Sequence, residues 1–480
     1  MAKKKESLAL KLPFEAGEHL CTWIVPGTDG VNVEIPGLLN LEVGKYPFGI
    51  LYGNLPIEWN NGAASFPQRT EFRSLVGRLS SGGSVAIMNG ELDYWIDTQG
   101  RATAAFAVLS RSELDANNPR KHQAIELQID GLDAIMGIAP ISQVQMPHKA
   151  GDEPIWSATV NREAKKNWKA NTNTMSIRYN ATIRALDFYE FRMVFGSVLR
   201  ITSEEGLTIE DWWTKWVWPL RQLISLITQG PREIHAFLAI EDSNNPRASR
   251  DQVFGWNITQ TTQNSSRDQI DATKALVNLT KDEANLLEIL TNWQALSNSH
   301  HPLLETYGSM TTIDEQHPRS RVLLLLQALE GLHGYETAEK YAARSTKHAE
   351  KRQAVLDRAA ALLESDDLKF LKRSLMKRPA SGLFEALSSI FGALPVDIRP
   401  ELESTPLFNE IRQSDSELNE AVTERILVKI RNDLSHGSAS YQPWQLKEVA
   451  DHLERVVRAE MLRVIGAPES SRTRALEKVR

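Results

Sequence analysis

Over the first two hundred residues, apolar positions alternate with polar ones in short runs bounded by Gly, Pro, Asn and Asp. Runs rich in Val, Ile, Phe, Tyr and Trp fall at 19–25, 31–35, 48–52, 84–89, 104–110 and 124–129. Residues two apart share a strand face, and branched or aromatic side chains suit a half-buried pleated surface, so these runs predict strands. The reversals at 27–30, 60–62 and 80–83 contain Gly or Asn, which accept the positive φ of tight turns. Many short strands at this spacing predict a sandwich or a barrel. We assign residues 1–265 to this β-rich domain, as a sensor or regulator.

The period then lengthens. Residues 209–227 predict a helix carrying Trp212, Trp213, Trp216 and Trp218; the Gly230-Pro231 break follows, then a strand at 234–240. So much aromatic surface predicts packing between this domain and the next, in preference to stacking on bases or sugars. A polar stretch at 257–271 marks the boundary, and 272–480 reads as all-helical, with helices at 281–296, 319–341, 348–363 and 368–376. Ser414 and Glu417 resemble a capping box, which starts a helix there. Leu418, Val422, Ile426 and Ile430 then form one apolar face, and Gly437 stands just past the helix end. Pro443 opens a last helix whose apolar face is Val449, Leu453, Val457 and Met461. The expected fold class is therefore multidomain α+β, with a β-rich sandwich or barrel followed by an all-α bundle.

The 480 residues suit two or three domains. The formal charge of −6 excludes holding nucleic acid by bulk electrostatics, so any such site is a local patch or cleft. One cysteine, Cys21, excludes an internal disulfide or a cysteine-rich metal site. No apolar run is long enough to span a bilayer, and Glu6 and Lys11 interrupt what would be the core of a signal peptide after Lys3. The expectation is a cytoplasmic protein without a membrane partner.

The segment 429–437 (KIRNDLSHG) carries the chemistry. Arg431 and His436 stand five residues apart, about 140° around a straight helix. A helix ending near 435–437 lets His436 turn back toward Arg431. Cleaving RNA without a metal needs a proton carrier of near-neutral pKa and a cation for the phosphate, and imidazole and guanidinium supply one of each. Asn432 adds a neutral donor and acceptor able to orient the imidazole or a phosphate oxygen. The negative end of a helix favours Arg and His in any case, so composition alone leaves capping and catalysis both open.

This Arg-Asn-x-x-x-His pattern between two amphipathic helices resembles the signature of the HEPN superfamily. The segment 324–332 (LLLQALEGL) resembles the earlier helix of its Apea-like branch, which carries an acidic residue, here Glu330. The N-terminal half is similar to the domain found with Apea-like HEPN domains in anti-phage systems. The resemblance implies a metal-independent endoribonuclease, without cofactor, acting as a homodimer on RNA such as tRNA. It also implies abortive infection set off by a phage-derived trigger. It places Arg431, Asn432 and His436 in the catalytic site with Glu330 supporting them. Gly331 and Gly334 depart from a good helix former and predict a kink beside Glu330.

Other groups carry less. Lys369, Lys372, Arg373, Lys377 and Arg378 could guide RNA, although such a run is usually a solvated helix face. The tail Arg472, Arg474, Lys478 and Arg480 is similar and reads as disordered. Glu330 and His333 fit half of a di-iron motif whose second copy is missing, and His300 and His301 read as loop residues. The rival readings are a HEPN-like module that binds a nucleotide or partner without cleaving, and a carbohydrate-binding or glycosidase-like β domain lacking an assignable pair of carboxylates.

Overall fold

The computed structural model describes residues 10–27, 31–55, 68–95, 99–146, 157–187, 190–245, 248–260, 274–313, 315–376 and 382–477. The chain divides into two compact units, Met1–Thr291 and Asn292–Arg480.

Six strands of the first unit close on themselves: β1 (Gly17–Pro26), β2 (Asn32–Leu41), β3 (Phe48–Tyr52), β4 (Gln68–Leu79), β5 (Ser84–Trp95) and β6 (Gln99–Ser110). The ring order is β6-β3-β2-β1-β4-β5, and β5 pairs back onto β6. Closure leaves none of the six as a free edge along its whole length. The interior is built around Trp23, fully buried, whose indole N–H donates to the Ile50 carbonyl at 3.0 Å. Glycines make the room for it. A Cβ on Gly49 would lie 2.4 Å from the indole ring, and one on Gly77 would lie 2.4 Å from Cys21 Sγ. Burial pushes the Cys21 thiol up to about 12, so this cysteine is an apolar core residue at neutral pH.

β6 forks the sheet. Its first half pairs with β3, from Tyr52↔Gln99 to Phe48↔Thr103. Its second half pairs with β14 (Arg250–Gly255), from Gly255↔Phe106 to Gln252↔Leu109. Beyond β14 the sheet runs through β13 (Ile234–Ile240), β7 (His122–Ile129), β12 (Glu190–Leu207), β11 (Asn173–Asp187) and β10 (Lys165–Ala170). The short helix α1 (Leu132–Met136) packs on β12, and β8 (Ile141–Gln145) pairs with β9 (Ser157–Val160) as a separate ribbon.

The tryptophan segment comprises α2 (Ile209–Trp212), a π-helical turn (Trp213–Val217) and α3 (Trp218–Ile227). Thr208 caps it, accepting from Asp211 N at 3.2 Å. Trp212 is fully buried and donates to the His122 carbonyl at 2.9 Å, and Trp213 meets Phe106 with ring centroids 5.0 Å apart. Trp212 and Trp213 thus pack within the N-terminal unit itself. Most of the polar stretch read as a boundary, 261–273, lies outside the described residues. The chain after it stays with the first unit: Leu276 N donates to Ile227 O and Leu279 N to Ile135 O, both at 2.8 Å.

The second unit is helical: α4 (Leu286–Asn298) crosses into it, followed by α5 (Pro302–Tyr307), α6 (Pro318–Glu336), α7 (Ala338–Ala360), α8 (Ser365–Ser374), α9 (Leu383–Gly392), α10 (Arg399–Glu403), α11 (Pro406–Ser414), α12 (Thr423–His436), α13 (Pro443–Val464) and α14 (Glu469–Leu476). α6 packs against α5, α9, α12 and α13. Arg321 on α6 pairs with Asp451 at 2.6 Å and with Glu454, both on α13. Tyr307 Oη and Arg458 Nη2 also donate to Glu454, at 2.8 and 2.6 Å. Burial alone would push the Glu454 carboxyl up; Arg458 and Arg321 outweigh it and hold it below its usual value. The hydrogen-bonded helix α6 continues through Gly331 and Gly334 to Glu336. Gly331 has a packing reason, since a Cβ there would sit 3.1 Å from Pro302 on α5. The tail is a correction: α14 docks on α13, with Arg472 buried and bonded to Glu460 at 2.8 Å. Lys478 and Arg480 lie outside the described residues. No helix among the described residues is long and apolar enough to cross a membrane.

Two glycine substitutions should move stability in opposite directions. Gly49→Ala forces a methyl against an indole ring tethered by its own hydrogen bond and should cost about 1–3 kcal/mol. Gly334→Ala adds a methyl with nothing within 4 Å, inside a helix, and should gain up to about 1 kcal/mol. Urea unfolding of the full chain, followed by tryptophan fluorescence and far-UV circular dichroism, checks both signs.

Candidate functional site

The apolar face of α12 is Ile426, Leu427, Ile430 and Leu434, all buried. The helix starts at Thr423, later than the Ser414–Glu417 pattern suggests. Asp415 accepts from Glu417 N within a 3-10 turn instead, and Val422 stays 52% exposed. The start is held from elsewhere: Thr423 donates to Glu403 at 2.7 Å, and Arg399 donates to Glu424 at 2.9 Å. On α13, Val449, Leu453, Val457 and Met461 are all fully buried, as their spacing predicts.

This docking brings α12 against α6. Arg431 Nη2 lies 3.9 Å from Glu330 Oε2, both side chains about two-fifths exposed at 40% and 38%. An exposed pair of this length contributes little to stability. Its value is positional. Arg431 Nη1 also donates to Asn432 Oδ1 at 3.3 Å. α12 runs regularly through His436 to Gly437, which takes the left-handed conformation at φ 69°. Arg431 and His436 therefore stay about 140° apart around one axis and about 7.5 Å apart along it. The turn back that a shorter helix would allow does not occur. His436 is exposed, and its imidazole has no partner among the described residues.

Two residues that sequence reasoning missed organise this helix end. Asp433 is buried and accepts from Ser438 Oγ at 2.8 Å and Tyr441 Oη at 2.5 Å, with Lys429 Nζ at 3.5 Å. It thereby ties down the chain immediately after His436. Burial pushes its carboxyl up, but the hydrogen bonds from Tyr441 and Ser438 and the Lys429 charge win, and the net shift is downward. The second is Arg319, at the start of α6, which donates to the Leu434 carbonyl. That places another cation at the negative end of α12. An acid inside the motif was a visible signal for Asp433; nothing local marks Arg319.

Arg425, Lys429, Asn432 and His436 recur every three or four residues and so lie along one face of α12. Arg425, Lys429, Asn432 and Phe384 line a groove of about 490 Å³ on that face. The basic run lies on α8, where Lys369 pairs with Asp366 at 3.0 Å and Lys372 and Arg373 are exposed. α8 buries none of its residues and Phe370 is 73% exposed. Lys377 and Arg378 lie outside the described residues. Among the described residues one group has metal-ligand geometry, Asp130, Glu233 and His235 of the N-terminal unit. Both ring nitrogens of His235 are already engaged, with Asp130 at 2.5 Å and Thr259 at 3.1 Å. It includes none of Glu330, Arg431 or His436.

Fold and site together define a two-domain protein, a closed barrel with an attached sheet followed by a helical bundle. The model of ApeA N-terminal domain 1 matches residues 18–293, more than half of the chain, and the protein belongs to that family. The match ends two residues past the first compact unit. No curated protein and no solved structure matches the chain. ApeA membership points to anti-phage defence.

Tyr441→Phe tests the Asp433 clamp. Losing the phenol should destabilise the helical domain by about 1–2 kcal/mol at neutral pH. A carboxyl with a lowered folded pKa contributes fully above its ordinary value of 3.8 and loses that contribution as the pH falls through the folded value. The difference between wild type and variant should therefore persist from about pH 7 to 5 and shrink below about 3.8, measured by urea unfolding at each pH.

Proposed function

We propose that this protein is a metal-independent endoribonuclease of anti-phage defence, with Arg431 and His436 as its catalytic core. The observation that carries the reading is the Glu330–Arg431 pair across α6 and α12, with an unpartnered, exposed His436 ending the same helix. Arg431 would bind the scissile phosphate, oriented by Glu330 and Asn432. His436 would take the proton from the ribose 2′-OH or return one to the 5′-oxygen. Because the two side chains diverge around one helix and one imidazole cannot fill both proton roles, the active form is an isologous homodimer that brings two copies of the motif together. Arg425 and Lys429 on the face shared with His436 supply cations along an RNA backbone, with tRNA one candidate substrate. The N-terminal domain senses the phage-derived trigger or restrains the nuclease.

Incubating the purified full chain with total RNA in EDTA is the deciding experiment. Cleavage should persist and leave 2′,3′-cyclic phosphate and 5′-hydroxyl ends, and DNA should survive. Arg431→Ala and His436→Ala should each lower the rate by about a hundredfold or more, and the double variant should be no worse than the poorer single one. Retention of most activity by His436→Ala overturns the site assignment. RNA binding without cleavage by the wild-type dimer favours the non-catalytic module instead.

A further inference from the structure

A second cluster of cations lies in the N-terminal domain, on a different set of elements. Glu126 on β7 is fully buried, and three arginines converge on it. Arg178 Nη2 and Arg200 Nη1 lie 3.0 and 3.3 Å from its Oε1, and Arg250 Nη1 lies 3.4 Å from its Oε2. Strand register explains the convergence. Arg200 on β12 stands directly opposite Glu126, while Arg178 on β11 and Arg250 on β14 reach in from two strands away on either side. All four side chains share the sheet face opposite the one where Tyr179 donates to Ile138 O beside α1.

One buried carboxylate requires compensation, and one well-placed guanidinium supplies it. Three guanidiniums to one carboxylate leave two positive charges unbalanced. Among the described residues no other carboxylate pairs with any of the three. Their donors are also largely unused among the described residues: beyond Glu126, only the Arg200 side chain has another partner, the Ser243 carbonyl at 3.0 Å. Arg178 and Arg250 remain 47% and 46% exposed at the side chain, so the surplus faces a ligand-accessible surface. The N-terminal segment bounds the site on one side, with Leu10 N donating to Gln128 at 3.2 Å and Phe14 N to Gln252 at 2.9 Å on the same face.

We propose that Arg178, Arg200 and Arg250 form a binding site for the phosphate group of a small phosphorylated molecule. A surplus of two charges matches a phosphoryl dianion better than a single carboxylate, and the planar guanidinium fork fits its oxygens two at a time. Glu126 holds the three forks in register while the site is empty. The N-terminal segment at Leu10 and Phe14 and the narrow arginine footprint favour a small molecule over a polynucleotide. The site belongs to the family domain and stands independently of the ribonuclease reading.

The test is isothermal titration of the full-length protein with inorganic pyrophosphate, ATP and a twelve-nucleotide oligodeoxynucleotide at matched ionic strength, with thermal melting alongside. Pyrophosphate or ATP should bind saturably and raise the melting temperature. Arg178→Gln and Arg250→Gln should each weaken that binding about tenfold or more, while the unliganded melting temperature holds or rises because repulsion is relieved. If either variant fails to fold, Arg178→Lys, which keeps the charge and loses the fork, should still weaken binding. Three results overturn the proposal: no saturable binding of pyrophosphate or ATP, binding that survives these substitutions, or oligodeoxynucleotide binding that is tighter and lost with the same arginines. A lower unliganded melting temperature with binding intact makes the cluster a structural ion-pair network.

Discussion

The geometry of the helical domain depends on how α6 is held against α13. Arg321 reaches from α6 to Glu454, which also accepts from Tyr307 and Arg458, so a largely buried carboxylate has donors on three helices. Charges taken out of water cost several kcal/mol each unless every lone pair is answered, which makes such a cluster intolerant of sliding or rotation. α6 is therefore fixed in register. It carries Arg319 at one end and Glu330 two-thirds of the way along, and both reach α12. The Glu330–Arg431 pair is too exposed to hold α6 against α12 by itself; it inherits its geometry from that cluster.

The N-terminal domain solves a different problem with glycine. A closed six-strand ring has little interior, and Trp23 fills much of it because β3 and β4 offer no Cβ at Gly49 and Gly77. The fork in β6 then passes the barrel's hydrogen bonding to an open sheet, with β3 paired up to Thr103 and β14 from Phe106. One domain thereby contains a packed, ligand-excluding core and a polar sheet face where Glu126 and its arginines collect.

Much of this was legible. β3 falls at Phe48–Tyr52 as the apolar run predicts, and the heptad-like face of α13 is fully buried. What escaped has physical reasons. β4 and β10 are strongly polar, with Arg69, Glu71 and Arg73 in one and Lys165, Lys166 and Lys169 in the other, so they lack the apolar alternation that marks a strand. Their pairing comes from neighbours distant in sequence. The start of α12 was misplaced because Asp415 satisfies a local turn, while the real start relies on Glu403 and Arg399 from another helix. In the site, Arg431 and His436 were readable as a spaced pair, but their divergence on an unbroken helix was not. Arg178, Arg200 and Arg250 were invisible as a group, since they lie on three strands spread over seventy-odd residues and meet only through sheet register.

The order of elements along the chain carries a consequence for synthesis. The sheet beyond β6 cannot be joined to the barrel until β14, at residues 250–255, has been made, so the N-terminal domain completes its pairing late and as one long-range event. Even so, it is complete well before α12, which brings Arg431 and His436 only at residues 423–436. Domains fold as units during translation, the N-terminal one first. Under the proposed function, each newly made chain leaving the ribosome has its regulatory half assembled before the residues that cut RNA exist.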